Sequence, residues 1–422
     1  MERVFPNCAG LDIHKKLIVA CRLTTDERGQ TQKAVRKFGT LTAELEALAA
    51  WLAAGGCTHV AMESTGVYWR PIYNILQEHV EVWVVNAHHV KHVPGRKTDV
   101  KDAEWLAQLL QQGLLRPSFI PSREQRELRD VVRQRQALVE DRTRVVNRLQ
   151  KVLEDANLKL ASVVGDLQGV SAQAILRALL GGEEEPRALA DLARGRLRKK
   201  RADLERALVG RLREHHRFML LHLLAQLDFL DEEITLLDAH IDALIAGQPE
   251  VAAAVERLDS IPGVSRLTAI VLVAEIGADV SRFPTARHLG AWAGLAPGNR
   301  ETGGTPRAAG TRKGNRYLRR CLVQAALAAA RTKGSYLKAL YHRLAARRGK
   351  RRAAVAVARS LLEIAYYLLR RGEWYRELGA EYFDRLDRER TGARLVQRLR
   401  RLGFVVTLTE PAPVPAGVTA SP

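Results

Sequence analysis

Two short apolar runs near the start of the chain each carry one acidic residue, and this pattern most constrains the fold. Asp12 interrupts a run that begins at Ala9 and resumes, after a polar break, at Leu17. Glu63 ends a second run that begins at His59. Runs of this length are typical of buried strands, where a carboxylate is costly unless a cation offsets its charge. The sequence therefore predicts a sheet whose strands direct acidic groups towards a bound cation.

Two further acidic residues, Asp99 and Asp102, lie three positions apart at the start of a predicted helix. Residues with this spacing share a helix face. Carboxylates are ligands for Mg²⁺, and a pair of such ions can clamp both oxygens of a phosphodiester displacement. With Asp12 and Glu63 they predict a Mg²⁺ or Mn²⁺ site in an enzyme acting on nucleic acid. The alternatives are strand-end carboxylates facing water and, for Asp99, a favourable interaction with the helix dipole.

The order of predicted elements indicates a mixed sheet covered by helices. We predict three strands within residues 7–39, a helix over 42–55, a strand over 58–63, a helix over 67–78, a strand over 80–86 and a helix over 98–112. Such an order gives an α/β domain, and it is also the order of an RNase H-like (RuvC-like) fold. On this layout the first strand is central and the strand ending at Glu63 runs parallel to it.

The distribution of charge separates this segment from the rest of the chain. The net charge is +20 over 422 residues, but the first 115 residues carry 13 Lys and Arg against 12 Asp and Glu. A near-neutral domain for chemistry and a basic remainder for a polyanion would explain this division. The alternative is that arginine richness reflects genome composition. A chain of this length is expected to form two or three domains.

Cysteine usage and hydropathy predict where the protein works. The four cysteines show no Cys-x-x-Cys spacing and no disulfide framework, so they are expected to be reduced core thiols. We find no signal peptide, and no apolar stretch reaches the ~18–20 residues needed to span a bilayer. The expected location is the bacterial cytoplasm, with nucleoid association when the protein is on DNA, and no membrane partner.

Residues 121–257 are predicted to form a helical spacer. Its first helix, over 123–157, is rich in arginine and is a candidate for contact with DNA or RNA. Apolar residues then recur at alternating steps of three and four over more than three heptads, which predicts a coiled coil. The seam consists of Leu220, Leu223, Leu227, Leu230, Ile234, Leu237, Ile241 and Leu244. It needs a partner, for which self-association is the economical choice, unless it is the apolar face of a bundle helix.

A second globular unit is predicted over 258–378. The segment from Leu258 through Pro262-Gly263 is typical of a helix-hairpin-helix, whose turn offers backbone N–H groups to a DNA phosphate. A Gly-rich loop over 297–306 and a basic stretch over 310–320 follow, and then three helices. Residues 379–422 form a carboxy-terminal extension that we expect to be partly disordered, above all from Pro411.

The motifs together resemble the DEDD-type insertion-sequence transposases and their relatives, the Piv-type DNA invertases. The amino-terminal resemblance is carried by residues 10–16, 62–69 and 96–103, and the carboxy-terminal one by residues 261–264, 294–297 and 311–319. It implies a RuvC-like catalytic domain over 1–120 whose metal ligands are Asp12, Glu63, Asp99 and Asp102. It also implies dimers and tetramers formed through the coiled coil, and a structured guide RNA that pairs with donor and target DNA.

The resemblance also implies a nucleophile in the Gly-rich loop, which is a serine in the family. Here the position falls on Thr302, whose hydroxyl can attack phosphorus although its methyl group crowds the approach. Thr305 is a weaker candidate, and Ser335 is better explained as a helix cap. Basic side chains near the two motif sets are expected to contact the nucleic-acid backbone. These are Lys97, Lys101, Arg312, Lys313, Arg316, Arg319 and Arg320.

We therefore expect a transposase or site-specific recombinase that moves an insertion sequence by metal-dependent cleavage and rejoining of DNA. One alternative is a structure-selective endonuclease that hydrolyses Holliday-type junctions with two metal ions. A second is an inactivated copy that only binds nucleic acid. The fold alone cannot choose among them.

Overall fold

The computed structural model describes residues 4–64, 66–86, 99–298, 301–302, 305–306, 310–311, 313–386 and 388–409. The side chains at 99–101, 301, 302 and 306 are outside this description. The chain divides into two compact units, Met1–Ser122 and Arg123–Pro422. The finer division at residues 257 and 378 remains a prediction.

The amino-terminal unit is built on a five-stranded mixed sheet, as the sequence predicted. Its strands are β1 (Cys8–Ile13), β2 (Ile18–Thr25), β3 (Thr31–Phe38), β4 (His59–Glu63) and β5 (Glu81–Val85). They are ordered β3-β2-β1-β4-β5, with β1 antiparallel to β2 and parallel to β4. Three helices accompany them: α1 (Thr42–Ala54), α2 (Trp69–Leu76) and α3 (Asp99–Gln111). The unit is consistent with an RNase H-like domain.

Alternate residues of β1 belong to two separate cores, as the two-residue period of a strand requires. Ala9, Leu11 and Ile13 pack with residues of α1 and α2. Cys8, together with Ala61 of β4, packs instead with residues of α3. The central strand is therefore buried on both faces, which is why its sequence is an almost continuous apolar run.

The second unit is almost entirely helical. Its first part contains α4 (Arg123–Asp155), α5 (Leu160–Val163), α6 (Val170–Leu180), α7 (Pro186–Asp191), a 3₁₀ turn (Gly195–Lys200), α8 (Arg201–Ala207) and α9 (Glu214–Ala246). Its second part contains α10 (Pro249–Asp259), α11 (Arg266–Ile276), α12 (Ala286–Trp292), α13 (Arg316–Ala329), α14 (Tyr336–Arg348) and α15 (Lys350–Arg371). Two short strands, β6 (Glu301–Thr302) and β7 (Thr305–Pro306), precede α13.

Six of the eight residues of the predicted heptad seam of α9 are buried within the chain itself, and Leu237 and Leu244 are half-buried. Leu220 and Leu223 pack with Leu149 and Leu153 of α4, while the far end of α9 packs against the beginning of α4. The two helices therefore form an antiparallel hairpin. Because α4 packs against the seam, burial of these leucines does not require a second copy of the chain. The sequence analysis had favoured self-association as the source of that partner. Dimers and tetramers through the coiled coil remain a prediction.

The helix-hairpin-helix segment forms two helices, α10 and α11, joined by the predicted Pro-Gly turn. Gly263 has a φ of 88°, and a Cβ there would lie 2.4 Å from the Ala329 backbone nitrogen. The glycine is therefore required for close packing against α13. Its contact with DNA remains a prediction.

The carboxy-terminal extension is more structured than the sequence analysis expected. It contains α16 (Tyr382–Leu386) and α17 (Arg388–Arg401), neither of which has a buried residue. The predicted tail from Pro411 lies outside the described residues. No helix in the described part of the chain combines the length and hydrophobicity needed to cross a membrane.

Candidate active site and its basic surroundings

Asp12 and Glu63 occupy neighbouring positions on two parallel strands. The β1–β4 register pairs Cys8 with His59 and continues to Leu11 with Met62, so the next residues in register are Asp12 and Glu63. Both side chains are half-buried. Asp12 also contacts His14, whose Nε2 lies 3.1 Å from a carboxylate oxygen of Asp12. The predicted adjacency of these two acids is thus present in the backbone.

Helix α3 brings the other acidic pair to the same side of the sheet. A Cβ at Gly10 would lie 2.2 Å from the Ala103 carbonyl oxygen and 2.5 Å from the Ala107 nitrogen, so α3 rests directly on β1. The Cys8 thiol lies 3.5 Å from the Ala107 carbonyl oxygen. Helix α3 therefore runs antiparallel to β1: its later residues lie beside the start of the strand. Its first residues lie near the end of the strand that carries Asp12.

The side of the sheet follows from strand alternation. Asp12 shares a face with Gly10, and Glu63 shares a face with Ala61, which packs with the residues of α3. Asp102 is half-buried in the first turn of α3, and Asp99 is the first residue of that helix. The tight fit of Gly10 under α3 was not predicted, although a glycine inside an apolar strand is a signal for close backbone approach.

The acidic residues share a region without forming a closed set of ligands. The carboxylate oxygens of Asp12, Glu63 and Asp102, which the structure describes, are not all within 4.8 Å of one another. Two metal ions about 3.5–4 Å apart, as in two-metal sites, need carboxylate ligands that are spaced more widely than the ligands of a single ion. The donor set also fits Mg²⁺ or Mn²⁺ chemically, because all four donors are carboxylate oxygens.

A different group of side chains in the second unit has tighter metal-ligand spacing. Asp155, His215 and His216 place one ligand atom each within 4.8 Å of one another. His216 is buried and its Nε2 lies 2.8 Å from Asp155 Oδ2, while its Nδ1 accepts from the Arg213 N–H at 3.2 Å. This contact lowers the pKa of Asp155. It links the end of α4 to the start of α9, which explains the group as a helix-hairpin clamp.

Thr302 lies in a short antiparallel hairpin rather than an irregular loop. Thr302 pairs with Thr305, and two glycines, Gly303 and Gly304, connect them in the sequence. Further down the hairpin, Gly298 N–H donates to the Gly310 carbonyl at 2.9 Å. The side chain of Thr302 is outside the description, and that of Thr305 is exposed. Ser335 caps α14, as expected, by accepting from the Lys338 N–H.

The segment after the hairpin is fixed by a buried carboxylate that sequence reasoning missed. Glu275 of α11 accepts from both Nε and a terminal nitrogen of Arg133, at 2.7 and 2.8 Å. It also accepts from the Asn315 side chain at 2.5 Å, and Asn315 caps α13. Next to this cap, a Cβ at Gly314 would lie 2.3 Å from the Gly294 nitrogen. The signal in the sequence was one acid directly after the apolar run over residues 269–274.

The predicted basic contacts differ in how far their charges are already engaged. Lys313 and Arg316 are exposed, and Arg316 stacks on the Tyr317 ring at 4.8 Å. Arg319 donates to the Gly294 carbonyl at 3.2 Å, and Arg320 forms an ion pair with Glu140. Three of the predicted contact residues cannot be described in this way. Lys97 and Arg312 lie outside the described residues, and the side chain of Lys101 is not described.

The arginine-rich helix α4, which the sequence suggested as a nucleic-acid contact, uses at least four of its arginines for contacts within the protein. Arg129 donates to the carbonyls of Ala274 and Glu275, both at 3.0 Å, and Arg133 holds Glu275. Arg135 pairs with Asp238, and Arg142 pairs with Asp231. These arginines therefore stabilise the helical unit, a role that the sequence analysis did not anticipate.

Burial determines the reactivity of the four cysteine thiols. It raises the pKa of the Cys8 thiol to about 12 and those of Cys21, Cys57 and Cys321 to about 11. All four are free. Raised thiol pKa values mean little thiolate near neutral pH, so none has the character of a nucleophile.

Comparison with known proteins identifies the chain. Residues 9–158 match the DEDD-type transposase domain of the IS110 family, and residues 255–342 match the transposase domain of the IS116/IS110/IS902 family. The chain is 28% identical over 382 residues to the transposase for insertion sequence element IS1111A of Coxiella burnetii, covering 87% of this chain and 90% of that protein.

Two further relatives extend the comparison. A probable family 20 transposase of Pseudomonas aeruginosa is 28% identical over 329 residues, which is 75% of this chain and 85% of that protein. The pilin gene-inverting protein of Moraxella bovis is 30% identical over 142 residues, or 33% and 44% of the two chains. A mixed-sheet unit and a helical unit with these relatives define a DNA transposase or recombinase. The chain belongs to the IS110 family of insertion-sequence transposases.

Proposed function

We propose that the chain moves its insertion sequence by metal-dependent cleavage and rejoining of DNA strands. The observation that carries this proposal is the register of β1 and β4, which makes Asp12 and Glu63 neighbours on the face that α3 covers. Asp99 and Asp102 begin that helix. Together they would hold Mg²⁺ or Mn²⁺, which when bound supplies charge stabilisation at the scissile phosphate.

The residues of the chain would contribute position and shape. Packing of Gly10 under α3 fixes the helix relative to the sheet, so the acids on both elements keep a constant separation. The donor oxygens come from strand ends and a helix start, which are more rigid supports than loops. The preorganised carboxylates would thus present an oxygen-only surface to the metal and its bound phosphodiester.

Thr302 is our candidate for the group that attacks the phosphodiester. Its hydroxyl oxygen would form a new bond to phosphorus as the strand's own P–O bond breaks, which keeps a phosphodiester for rejoining. The support is its position at the end of a two-residue ladder followed by two glycines, since glycines permit close backbone approach to a ligand.

A guide RNA completes the proposal, together with assembly into dimers or tetramers through the coiled coil. Sequence choice would then rest on base pairing rather than on protein side chains. Its support is the family resemblance and the charge of the second unit. The protein would act in the cytoplasm, on the nucleoid. RNA co-purified with the full chain from cells that carry the native flanks of the gene tests the guide. We expect one discrete RNA that maps to a flank, and only degraded bulk RNA would contradict guidance.

A strand-transfer assay tests the chemistry. Asp12→Asn should lower the rate in Mg²⁺ by at least about a hundredfold, since about 2.7 kcal/mol of lost transition-state stabilisation has that effect. Glu104→Gln is the matched control because Glu104 lies in α3 but binds Lys33 at 2.9 Å. Equal activity of both variants would refute the carboxylate site.

The Thr302 role has its own readout. Denaturing gels with labelled DNA should show a covalent protein–DNA adduct with the native chain and Thr302→Ser but not with Thr302→Ala. Cleavage without an adduct in all three, lost only with Asp12→Asn, would instead support the junction-hydrolysing endonuclease. Nucleic-acid binding without any cleavage would support the inactivated copy.

A further inference from the structure

A second basic feature lies far along the chain from the predicted DNA contacts. A cavity of about 1060 Å³ opens between α14 and the carboxy-terminal helices α16 and α17. Four arginines line it, Arg343 and Arg347 from α14 and Arg390 and Arg394 from α17, with Asp384 as the only carboxylate among the lining residues that the structure describes. Its lining therefore carries a net charge of +3.

The arginines are arranged as two pairs at helical spacing. Arg343 and Arg347 are four positions apart, as are Arg390 and Arg394, so each pair lies on one side of its helix. Two such pairs line one cleft, and like charges in one cleft repel each other. Such an arrangement is favourable when an anion occupies the space between them.

The charges of this cleft are handled differently from those of α4. Within the described residues, Arg347 and Arg394 form no ion pair with a carboxylate, and all four cleft arginines are exposed. Arg343 stacks on the Phe383 ring at 5.1 Å, a contact that orients a guanidinium without neutralising it. Arg347 and Arg394 therefore retain binding capacity that the paired arginines of α4 have already used.

Aromatic contacts hold one wall of the cleft in place. Tyr336 at the start of α14 stacks on Phe383 at 5.3 Å and meets Tyr382 edge-on at 5.1 Å. The Tyr336 N–H also donates to Glu377 at 2.8 Å. These contacts fix helix α16 to α14. Among the described residues no such aromatic contact holds α17, and neither α16 nor α17 has a buried residue. Apolar burial does not account for the position of α17, so we look to a ligand bridging the two helices.

We propose that this cleft binds the phosphodiester backbone of a nucleic acid, without reading its sequence. Arginine forks match phosphate oxygens in bidentate geometry, and an open cleft of this volume suits a polymer strand better than one small anion. The proposal deepens the proposed function, since a recombinase must hold its nucleic acid. The proposal rests on that function only for the identity of the ligand as a nucleic acid. The cleft itself involves neither the carboxylates nor Thr302.

Binding measured against salt concentration tests the cleft. We would compare the full chain with Arg347→Gln/Arg394→Gln by fluorescence anisotropy, using a random-sequence DNA duplex in one arm and a structured RNA in the other. Loss of two phosphate contacts on duplex DNA should reduce the slope of log K against log salt by about 1.8. The matched control is Arg187→Gln/Arg331→Gln, which removes two exposed charges from the same unit outside the cleft lining.

The two arms separate the sources of phosphate. A smaller slope confined to RNA assigns the cleft to RNA, and one confined to DNA assigns it to the donor or target. Slopes equal to those of the control pair in both arms overturn the proposal. Circular dichroism and the thermal midpoint confirm that each variant is folded.

This test is independent of the proposed chemistry. Strand transfer by Asp12→Asn is measured separately in Mg²⁺ and should be lost. If the cleft variant binds normally and Asp12→Asn is inactive, the cleft fails and the chemistry stands. If the cleft variant loses affinity and Asp12→Asn remains active, the cleft stands and the carboxylate assignment fails.

Discussion

Glu275 and the acidic group around Asp12 show two opposite uses of a carboxylate. Glu275 is 1% exposed and accepts hydrogen bonds from Arg133 and Asn315, so its negative charge is paired within the protein. Asp12, Glu63 and Asp102 are half-buried on the side of a sheet where other acids gather. The first arrangement stabilises a fold, whereas the second gathers acidic side chains where, on our proposal, a cation would bind.

The largest effect on stability is expected at Glu275. Glu275→Leu should lower the free energy of unfolding by about 3–5 kcal/mol, because it removes the buried acceptor of this ion pair and leaves the half-buried Arg133 guanidinium unpaired. Urea unfolding of the full chain measures it. Glu256→Gln, an exposed acid in the neighbouring helix α10, is the control and should change stability by less than about 0.5 kcal/mol. A similar small change at Glu275 would mean that the network is not needed for stability.

The acidic group should respond to metal instead. Mg²⁺ at a hundredfold excess over its dissociation constant should stabilise the native chain by about 2.7 kcal/mol. Thermal unfolding with and without Mg²⁺ measures this, and the stabilisation should vanish in Asp12→Asn but persist in Glu104→Gln. Equal stabilisation of both variants would place the responding metal elsewhere, with Asp155 and His216 the first group to examine.

Without metal, substitution of Asp12 should change the free energy of unfolding in the opposite direction to substitution of Glu275. Asp12→Asn removes one negative charge from a group of like charges, so the free energy of unfolding should rise by up to about 1 kcal/mol. The same assay in EDTA measures it. A loss of stability would show that the contact with His14 outweighs the repulsion, and His14→Ala would then reproduce that loss.

These contrasts also explain how far the sequence could be read. Asp12 and Glu63 were proposed as site residues because an acid in a short apolar run violates the pattern of a buried strand, and the succession of strands and helices followed from local periodicity. The pairing of the α4 arginines could not be found in this way. Their partners Asp231 and Asp238 are about a hundred positions away on α9, and only the hairpin register brings them together.

Other differences have equally specific causes. The heptad seam was visible in the sequence, but periodicity does not reveal whether its partner is another copy or another helix of the same chain. Helix α17 was missed because it buries no residue, so its arginines and leucines gave no core signal. The hairpin of Thr302 has only two residues in each strand, which is too short for any period to appear.

The smallest effect concerns the ion pairs that flank the α4–α9 hairpin. Arg135–Asp238 and Arg142–Asp231 are seven positions apart on both helices, so they repeat once per heptad, as flanking charges in coiled coils do. Because the carboxylates are 42% and 49% exposed, each pair should contribute only about 0.2–1 kcal/mol of coupling energy. A double-mutant cycle with Arg135→Ala and Asp238→Ala measures it, and the value should fall in high salt. A salt-independent coupling above about 2 kcal/mol would contradict this expectation. It would show that the Arg135–Asp238 pair stabilises the fold as strongly as the contacts of Glu275 do.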